Sequence, residues 1–273
     1  MALLDDVVDA VLASRRYRSV HPATVRRLAA PHAVEAGRAA EAIKRTKRAL
    51  HQIFGAYLPR PPRYERWLGA LQAADDEDAR RQVLRGAMAQ HASTRERLEH
   101  LEAFHAVLTE HLGAPPRSVL DVACGLQPLA SPWWLEPGVQ YHAWDIDLAL
   151  VEFLGACLAA LGLGSHAAAV DLLDVPAWPT ADVALVLKTL PCLEQQRAGA
   201  GEALLAAIPA PRLVVSFPTR SLGGRSKGMR ESYARGFEAL LSRRGWAARS
   251  FEAGPELVYV VDRPLASGVP SEA

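Results

Sequence analysis

The chain has 273 residues, half of them hydrophobic and 22% charged, with 31 Lys and Arg against 30 Asp and Glu. That composition excludes wholesale disorder, and the length is enough for one large core or two modest ones. The net charge of +1 hides a strong asymmetry: residues 1–66 hold 13 basic and 6 acidic side chains, 67–115 hold 5 and 8, 116–210 hold 3 and 10, and 211–273 hold 10 and 6. Two basic ends flank an acidic middle, an asymmetry that the function has to explain.

Cys124, Cys157 and Cys192 form no C-x-x-C pair and stand beside no His cluster at ligand spacing, so neither zinc nor a disulfide framework is expected. Asp5, Asp6 and Asp9 occupy the place where a secretory signal would carry positive charge. The most apolar stretch, residues 146–163, is interrupted by Asp147 and Glu152 and reads as a helix packed on a sheet. A cytoplasmic protein without metal or membrane partner is the expectation.

In chain order, Leu3, Leu4, Val7, Val8, Val11 and Leu12 repeat at helical spacing. A longer helical pattern runs over 34–57, with Lys44, Arg45, Lys47 and Arg48 on its polar side, until the Pro-rich segment 58–63 breaks it. Helices follow over 64–71 and 77–90. Ser93-Thr-Arg-Glu96 has the form of a capping box opening a helix to about Leu112. Beyond Pro116 the pattern changes to short apolar runs at 118–123, 139–145, 165–171, 182–188 and 212–218, alternating with helical stretches. That alternation predicts an α/β fold, a Rossmann-like, mainly parallel sheet with helices on both faces. Two closing runs, 246–252 and 256–262, predict an antiparallel edge hairpin. The predicted organisation is a helical N-terminal domain over 1–112, a sheet domain over 113–263 and a polar tail over 264–273.

Open parallel sheets bind ligands beyond the carboxyl ends of their strands. There the sequence places Asp121-Val-Ala-Cys-Gly125, then Asp145, then Asp171. Gly125 permits a close backbone turn, Asp145 suits a ribose hydroxyl pair, and Asp171 can accept from an adenine amino group. The loop lacks G-x-G-x-x-G, so a single glycine with acids at strand ends fits S-adenosylmethionine better than a dinucleotide. Alternatives stay open at two positions: Asp145 as the N-cap of the following helix, and Asp121 as a loop-fixing residue.

Four further segments stand in order: His91-Ala-Ser-Thr-Arg-Glu-Arg97-Leu, Asp121-Val-Ala-Cys-Gly125-Leu-Gln-Pro-Leu129, Lys188-Thr-Leu-Pro191 and Ser216-Phe-Pro-Thr-Arg-Ser-Leu-Gly-Gly-Arg-Ser-Lys-Gly-Met229, with Leu50-His-Gln-Ile-Phe-Gly-Ala-Tyr57 upstream. Together they resemble the aminoglycoside-resistance 16S rRNA guanine-N7 methyltransferases, the Arm/Rmt family and its relatives in antibiotic producers, over about residues 3–262. The long block ending at Met229 is the most specific of them. The resemblance implies a class I methyltransferase domain using S-adenosylmethionine and a helical domain docking on the 30S subunit. It implies a cofactor site of His91, Ala92, Ser93, Arg97, Ala123, Gly125, Asp145, Ile146, Asp171, Leu172, Leu187 and Gln196. Arg97 would pair the methionyl carboxylate, a role its planar guanidinium suits. RNA contacts would come from Arg15, Arg18, Lys44, Arg45, Arg48, Arg220, Arg225 and Lys227. Arg16, Arg26, Arg27 and Lys47 are further phosphate candidates.

Guanine N7 offers an in-plane lone pair, so no general base is expected; catalysis would rest on in-line alignment, with Lys227 and Met229 as positioning residues. Phe104, Trp133, Trp144 and Phe217 are the aromatic candidates for stacking on a flipped base. Competing readings are the sister adenine-N1 activity at the same ribosomal site, methylation of a small molecule, and a non-catalytic ribosome-binding protein on a methyltransferase fold. A monomer is expected.

Overall fold

The computed structural model describes residues 2–219 and 228–264. Helices come first: α1 (Ala2–Leu12), α2 (Pro22–Ala36), α3 (Ala39–Leu50), α4 (Tyr64–Gln72), α5 (Glu77–Met88), the single turn α6 (Ala92–Arg95) and α7 (Leu101–Leu112). The predicted helix over 34–57 is divided, because Gly37 adopts φ +60° and ends α2 while α3 starts afresh and runs into a π turn at His51–Gly55. Pro22 opens α2 at a position whose N–H needs no partner. The predicted capping box does not form. Ser93 lies inside α6, and its hydroxyl pairs with His91 Nδ1 at 3.0 Å rather than capping a helix, so the continuous helix to Leu112 is broken at Glu96–His100.

The sheet follows: β1 (Ser118–Val122), β2 (Gln140–Asp145), α8 (Leu148–Ala160), the two-residue β3 (Gly164–Ser165) and β4 (Ala168–Ala169), β5 (Val183–Leu187), α9 (Leu190–Gln196), α10 (Ala200–Ala207), β6 (Arg212–Pro218), α11 (Met229–Arg244), β7 (Ala247–Ala253) and β8 (Glu256–Asp262). The strand order is β3-β2-β1-β5-β6-β8-β7, with β4 also on β2. Pairing is parallel from β3 to β6 and antiparallel at β6–β8 and β8–β7. The closing hairpin thus folds back so that β8, not β7, meets β6. β8 is a nearly continuous buried run and suits that inner position; the exposed β7 suits the edge. The expected strand at 165–171 shrinks to two short pairs on β2.

The hydrophobic cores divide the chain elsewhere than at residue 112. One small core joins Val7, Val11, Val25, Ala42 and Leu50 of α1 to α3. Leu71, Leu84, Met88, Phe104 and Leu108 of α4, α5 and α7 instead share the core of one face of the sheet with Tyr141 and Leu154. The opposite face packs on α9 to α11 through Leu193, Leu205, Phe237 and Leu241. Only the first three helices therefore have a core of their own. They are stitched to the sheet by an antiparallel bridge, in which His21 donates its N–H to the Ile146 carbonyl at 2.7 Å and Leu148 donates to the Ser19 carbonyl at 2.7 Å. Among the described residues no helix is long and apolar enough to cross a membrane.

Candidate active site

Beyond the carboxyl ends of β1, β2 and β5 lies a cleft of about 860 Å³, part of it open to solvent. Of the residues that the family resemblance implies, Ala123, Gly125, Asp145, Ile146, Asp171, Leu172, Leu187, His91, Ser93 and Gln196 are brought together along this cleft. The first helices line it too: Thr24 and Arg27 of α2, with Ile53, Phe54 and Tyr57 after α3.

Gly125 has φ +52°, and a Cβ there would stand 2.8 Å from His91 Cε1. The glycine is thus required by its own backbone angle and by a protein side chain. His91 is stacked on Tyr57, with ring centroids 5.7 Å apart and planes at 12°, and burial pushes its pKa down to about 3, so the ring is neutral. Ala92 lies outside the cleft; its N–H donates to the Tyr57 carbonyl at 2.9 Å and so fixes that stack. Ala123 and Lys188 both line the cleft and both occupy the left-handed region without being glycine, at φ +50° and +57°, a strain that persists only where the surroundings enforce it.

Asp145 does not cap α8; Asp147 does, accepting from Ala149 N–H at 3.1 Å. Asp145 Oδ2 accepts from Gly125 N–H at 2.9 Å and Oδ1 from Ile146 N–H at 2.7 Å and Asp147 N–H at 3.3 Å. Burial outweighs these bonds and raises its pKa to about 6. Asp121 is wholly buried and does not line the cleft; it accepts from Tyr141 Oη–H of β2 at 2.8 Å and is raised by burial to about 7, and no bond from its carboxylate reaches the loop after β1 among the described residues. Asp171 is held from across the cleft: Arg27 Nε donates to Oδ2 at 2.7 Å and Nη2 to Oδ1 at 3.2 Å, and Nη2 also donates to Gln196 Oε1 at 2.9 Å.

Arg97 departs from expectation. It does not line the cleft, and its guanidinium already grips a carboxylate, that of Glu256: Nε to Oε1 at 3.0 Å and Nη2 to Oε2 at 2.7 Å, with both side chains almost fully buried. Gln127 takes another donor and the Phe104 ring lies 4.4 Å from the guanidinium carbon. Lys188 Nζ joins the cluster, donating to the Ser93 carbonyl at 2.8 Å and Glu96 at 3.0 Å, 3.6 Å from Glu256. Burial alone would raise Glu256; the charges of Arg97 and Lys188 win and hold it at about 2.

None of the four aromatic candidates reaches the cleft. Phe104 lies in the core beneath Arg97, Trp144 packs on Trp178, Phe217 on Tyr233, and Trp133 beneath Arg81. The cleft's aromatics are Phe54 and Tyr57, both within the Leu50–Tyr57 segment. Arg15 and Arg18 line a second, wider groove together with Arg16, Arg60, Arg63 and Arg66, all exposed, against Glu65 and Asp147. Arg60 and Arg63 fall in the Pro-rich break and Arg66 on the first turn of α4, where no basic run marks them in the sequence. Lys44, Arg45 and Arg48 are exposed on α3 outside that groove, and Arg45 pairs with Glu41 at 3.0 Å. Arg220, Arg225 and Lys227 lie outside the described residues; Met229 opens α11, half-buried.

Residues 13–260 match the protein family described as "Ribosomal RNA methyltransferase (FmrO)". The chain is 46% identical over 266 residues to a 16S rRNA (guanine(1405)-N(7))-methyltransferase of Micromonospora echinospora, covering 95% of this chain and 97% of that one. It is 49% identical over 270 residues to a protein of the same name from Frankia casuarinae, covering 95% and 94%. Among solved structures, the 16S rRNA methyltransferase RmtF in complex with S-adenosyl-L-homocysteine superposes with a TM-score of 0.83 at 36% identity, covering 96% of this chain and 98% of that one.

Proposed function

The chain belongs to the ribosomal RNA methyltransferase (FmrO) family, and from that premise we propose that it is a 16S rRNA guanine-N7 methyltransferase acting at guanine 1405 with S-adenosylmethionine. The observation that carries the reading is the convergence of Gly125, Asp145, Asp171 and the neutral His91 on one cleft at the strand ends. The cleft fits an adenosyl group. Each carboxylate oxygen has two lone pairs, so Asp145 Oδ2, with one N–H bound, keeps one for a ribose hydroxyl, and Asp171 Oδ2 keeps one for an amino group.

When bound, S-adenosylmethionine supplies an electrophilic methyl on a sulfonium sulfur. Guanine N7 attacks with a lone pair that lies in the ring plane, so the chain removes no proton, and no residue is assigned as general acid or base. What the chain supplies is alignment and the exclusion of water: Asp145 and Asp171 anchor the nucleoside, and Gly125, His91 and Tyr57 form a rigid wall. Asp145 also offsets positive charge in the site as it passes from sulfur to the base.

The six-arginine groove and the block 216–229 supply the ribosomal contacts: Arg15, Arg18, Arg60, Arg63 and Arg66 follow phosphates, and Arg220, Arg225, Lys227 and Met229 approach the flipped base, whose unstacking costs roughly a few kcal/mol. Lys44, Arg45 and Arg48 offer a further basic face on α3. The enzyme acts as a cytoplasmic monomer on the 30S subunit and confers resistance to kanamycin- and gentamicin-type drugs. The test is transfer of labelled methyl to 30S subunits, naked 16S rRNA and small-molecule extracts, with borohydride/aniline cleavage to map the base. Cleavage at guanine 1405 in 30S substrate is expected. Label confined to small molecules, or at an adenine N1, overturns the reading.

A further inference from the structure

Arg27 is one of the few cationic side chains facing the cleft, and it comes from α2, outside the sheet. Its donors fix two groups on separate elements, the Asp171 carboxylate beyond β4 and the Gln196 carboxamide at the end of α9. Gln196 is thereby set in one orientation, with Oε1 toward Arg27 and Nε2 donating to the Cys192 carbonyl at 3.1 Å. A link between two bodies needs only the ion pair; the added bond to Gln196 sets the direction of a second polar group on the cleft wall. One turn earlier on the same face of α2, Thr24 also lines the cleft. Its hydroxyl is wholly buried and finds no hydrogen-bond partner among the described residues. A buried hydroxyl without a partner costs roughly 1–3 kcal/mol, and such a cost at a cleft wall points to a ligand group that satisfies it.

We propose that α2 completes the purine end of the cofactor cleft, with Arg27 as the positioning residue that orients Asp171 and Gln196 and Thr24 as a direct hydrogen-bonding group for the bound purine. The proposal rests on the cofactor reading above. It makes the first helices part of the cofactor site, beyond their role in docking. The bridge from Ser19 and His21 to Ile146 and Leu148 holds the start of α2 against the chain just beyond Asp145.

The test compares the full-length chain and the variants Arg27→Lys and Thr24→Val by calorimetric titration with S-adenosylhomocysteine and with S-inosylhomocysteine, whose purine carries an oxo group in place of the amino group. Thermal melting of the free proteins runs in parallel. Wild type is expected to prefer the adenine ligand. Arg27→Lys keeps the charge and loses the fork; it should weaken S-adenosylhomocysteine roughly tenfold and bring the ratio of the two ligands toward one. Thr24→Val removes an unpartnered hydroxyl at constant shape, so it should melt no lower than wild type yet bind roughly three- to tenfold more weakly. Unchanged affinity and ratio in Arg27→Lys, or unchanged affinity in Thr24→Val, overturns the proposal and leaves the cofactor reading standing. A wild type that does not discriminate the two ligands overturns the adenine assignment of Asp171 and the proposal with it.

Discussion

Arg97 and Glu256, 159 residues apart in the chain, form a two-pronged ion pair with almost no solvent on either partner. It joins the segment after α6 to the first residue of β8, and Ser216 of β6 adds a hydroxyl to Glu256 Oε2 at 2.8 Å. Breaking such a pair from one side leaves an unpaired buried charge, at about 3–5 kcal/mol. Glu256→Ala is therefore expected to lose most of the protein's stability, and Glu256→Gln, which keeps the shape and some hydrogen bonds, distinctly less. The pH dependence has a definite sign. Glu256 titrates near 4.5 when unfolded and near 2 when folded, so its stabilising contribution is complete above about pH 4.5 and vanishes as pH falls toward 2. Urea melts of wild type and Glu256→Gln between pH 2 and 6 check this; parallel acid limbs in the two proteins would contradict it.

That pair also marks the limit of what the chain order discloses. Periodicity foretells the strands β5 and β6 because each is a nearly continuous buried run, and β1 and β2 because their short apolar stretches end in Asp121-Val-Ala-Cys-Gly125 and Asp145; Asp171, just beyond β4, is legible as a candidate site residue for the same reason. Partners of Arg97 are not, since helical spacing can only reveal acids three or four residues away, whereas Glu256 arrives through the fold-back of β8 beside β6. Arg27 shows the same limit. It looked like one more arginine in a basic run, and only the docking of α2 onto the sheet turns it inward. Conversely, Arg60 and Arg63 stand among prolines and Arg66 in the first turn of α4, none in a basic run, yet the break brings all three to the groove of Arg15 and Arg18.

As the proposed ribose anchor, Asp145 is expected to give cofactor binding a pH dependence. Burial holds its carboxyl at about 6 in the free protein, and a ribose hydroxyl donates best to the ionised form. Ionisation costs the free fold stability as pH rises from about 4 to 6, because the folded pKa lies above the unfolded one; bound cofactor offsets that cost and lowers the pKa in return. Affinity for S-adenosylhomocysteine should thus be nearly constant above pH 7 and fall below pH 6, approaching tenfold per pH unit. Calorimetry from pH 5 to 8 measures it, and Asp145→Asn should bind weakly with a flat profile. A wild-type profile equally flat would remove the carboxylate from ribose recognition.

Gly125→Ala combines two faults, a left-handed φ and a Cβ 2.8 Å from the His91 ring. Backbone strain of this kind costs about 1–3 kcal/mol, and the ring is held by the Ser93 hydroxyl at Nδ1 and by its stack on Tyr57. The variant is expected to melt several degrees lower and to lose measurable cofactor binding. The double variant Gly125→Ala, His91→Ala removes the clash but not the strain, so it should regain part of the melting temperature. No recovery in the double variant would assign the whole effect to the backbone.

On the proposed reading, the arginine groove is the surface that meets the 30S subunit. Arg15, Arg18, Arg60 and Arg63 are exposed on one surface with little opposing acid, and the groove adjoins the cleft, since Phe54 and Leu58 line both. Each phosphate contact releases counterions, so affinity should fall steeply with salt, and each arginine removed should lower the slope of log K against log salt by about 1. Arg60→Ala with Arg63→Ala is expected to reduce 30S affinity and the slope by about two, while S-adenosylhomocysteine binding stays at the wild-type value because neither side chain borders that cleft. Filter binding of 30S subunits at several salt concentrations, beside calorimetry of the cofactor, separates the two effects. An unchanged slope would move the docking surface off this groove, toward the exposed face of α3 that carries Lys44, Arg45 and Arg48.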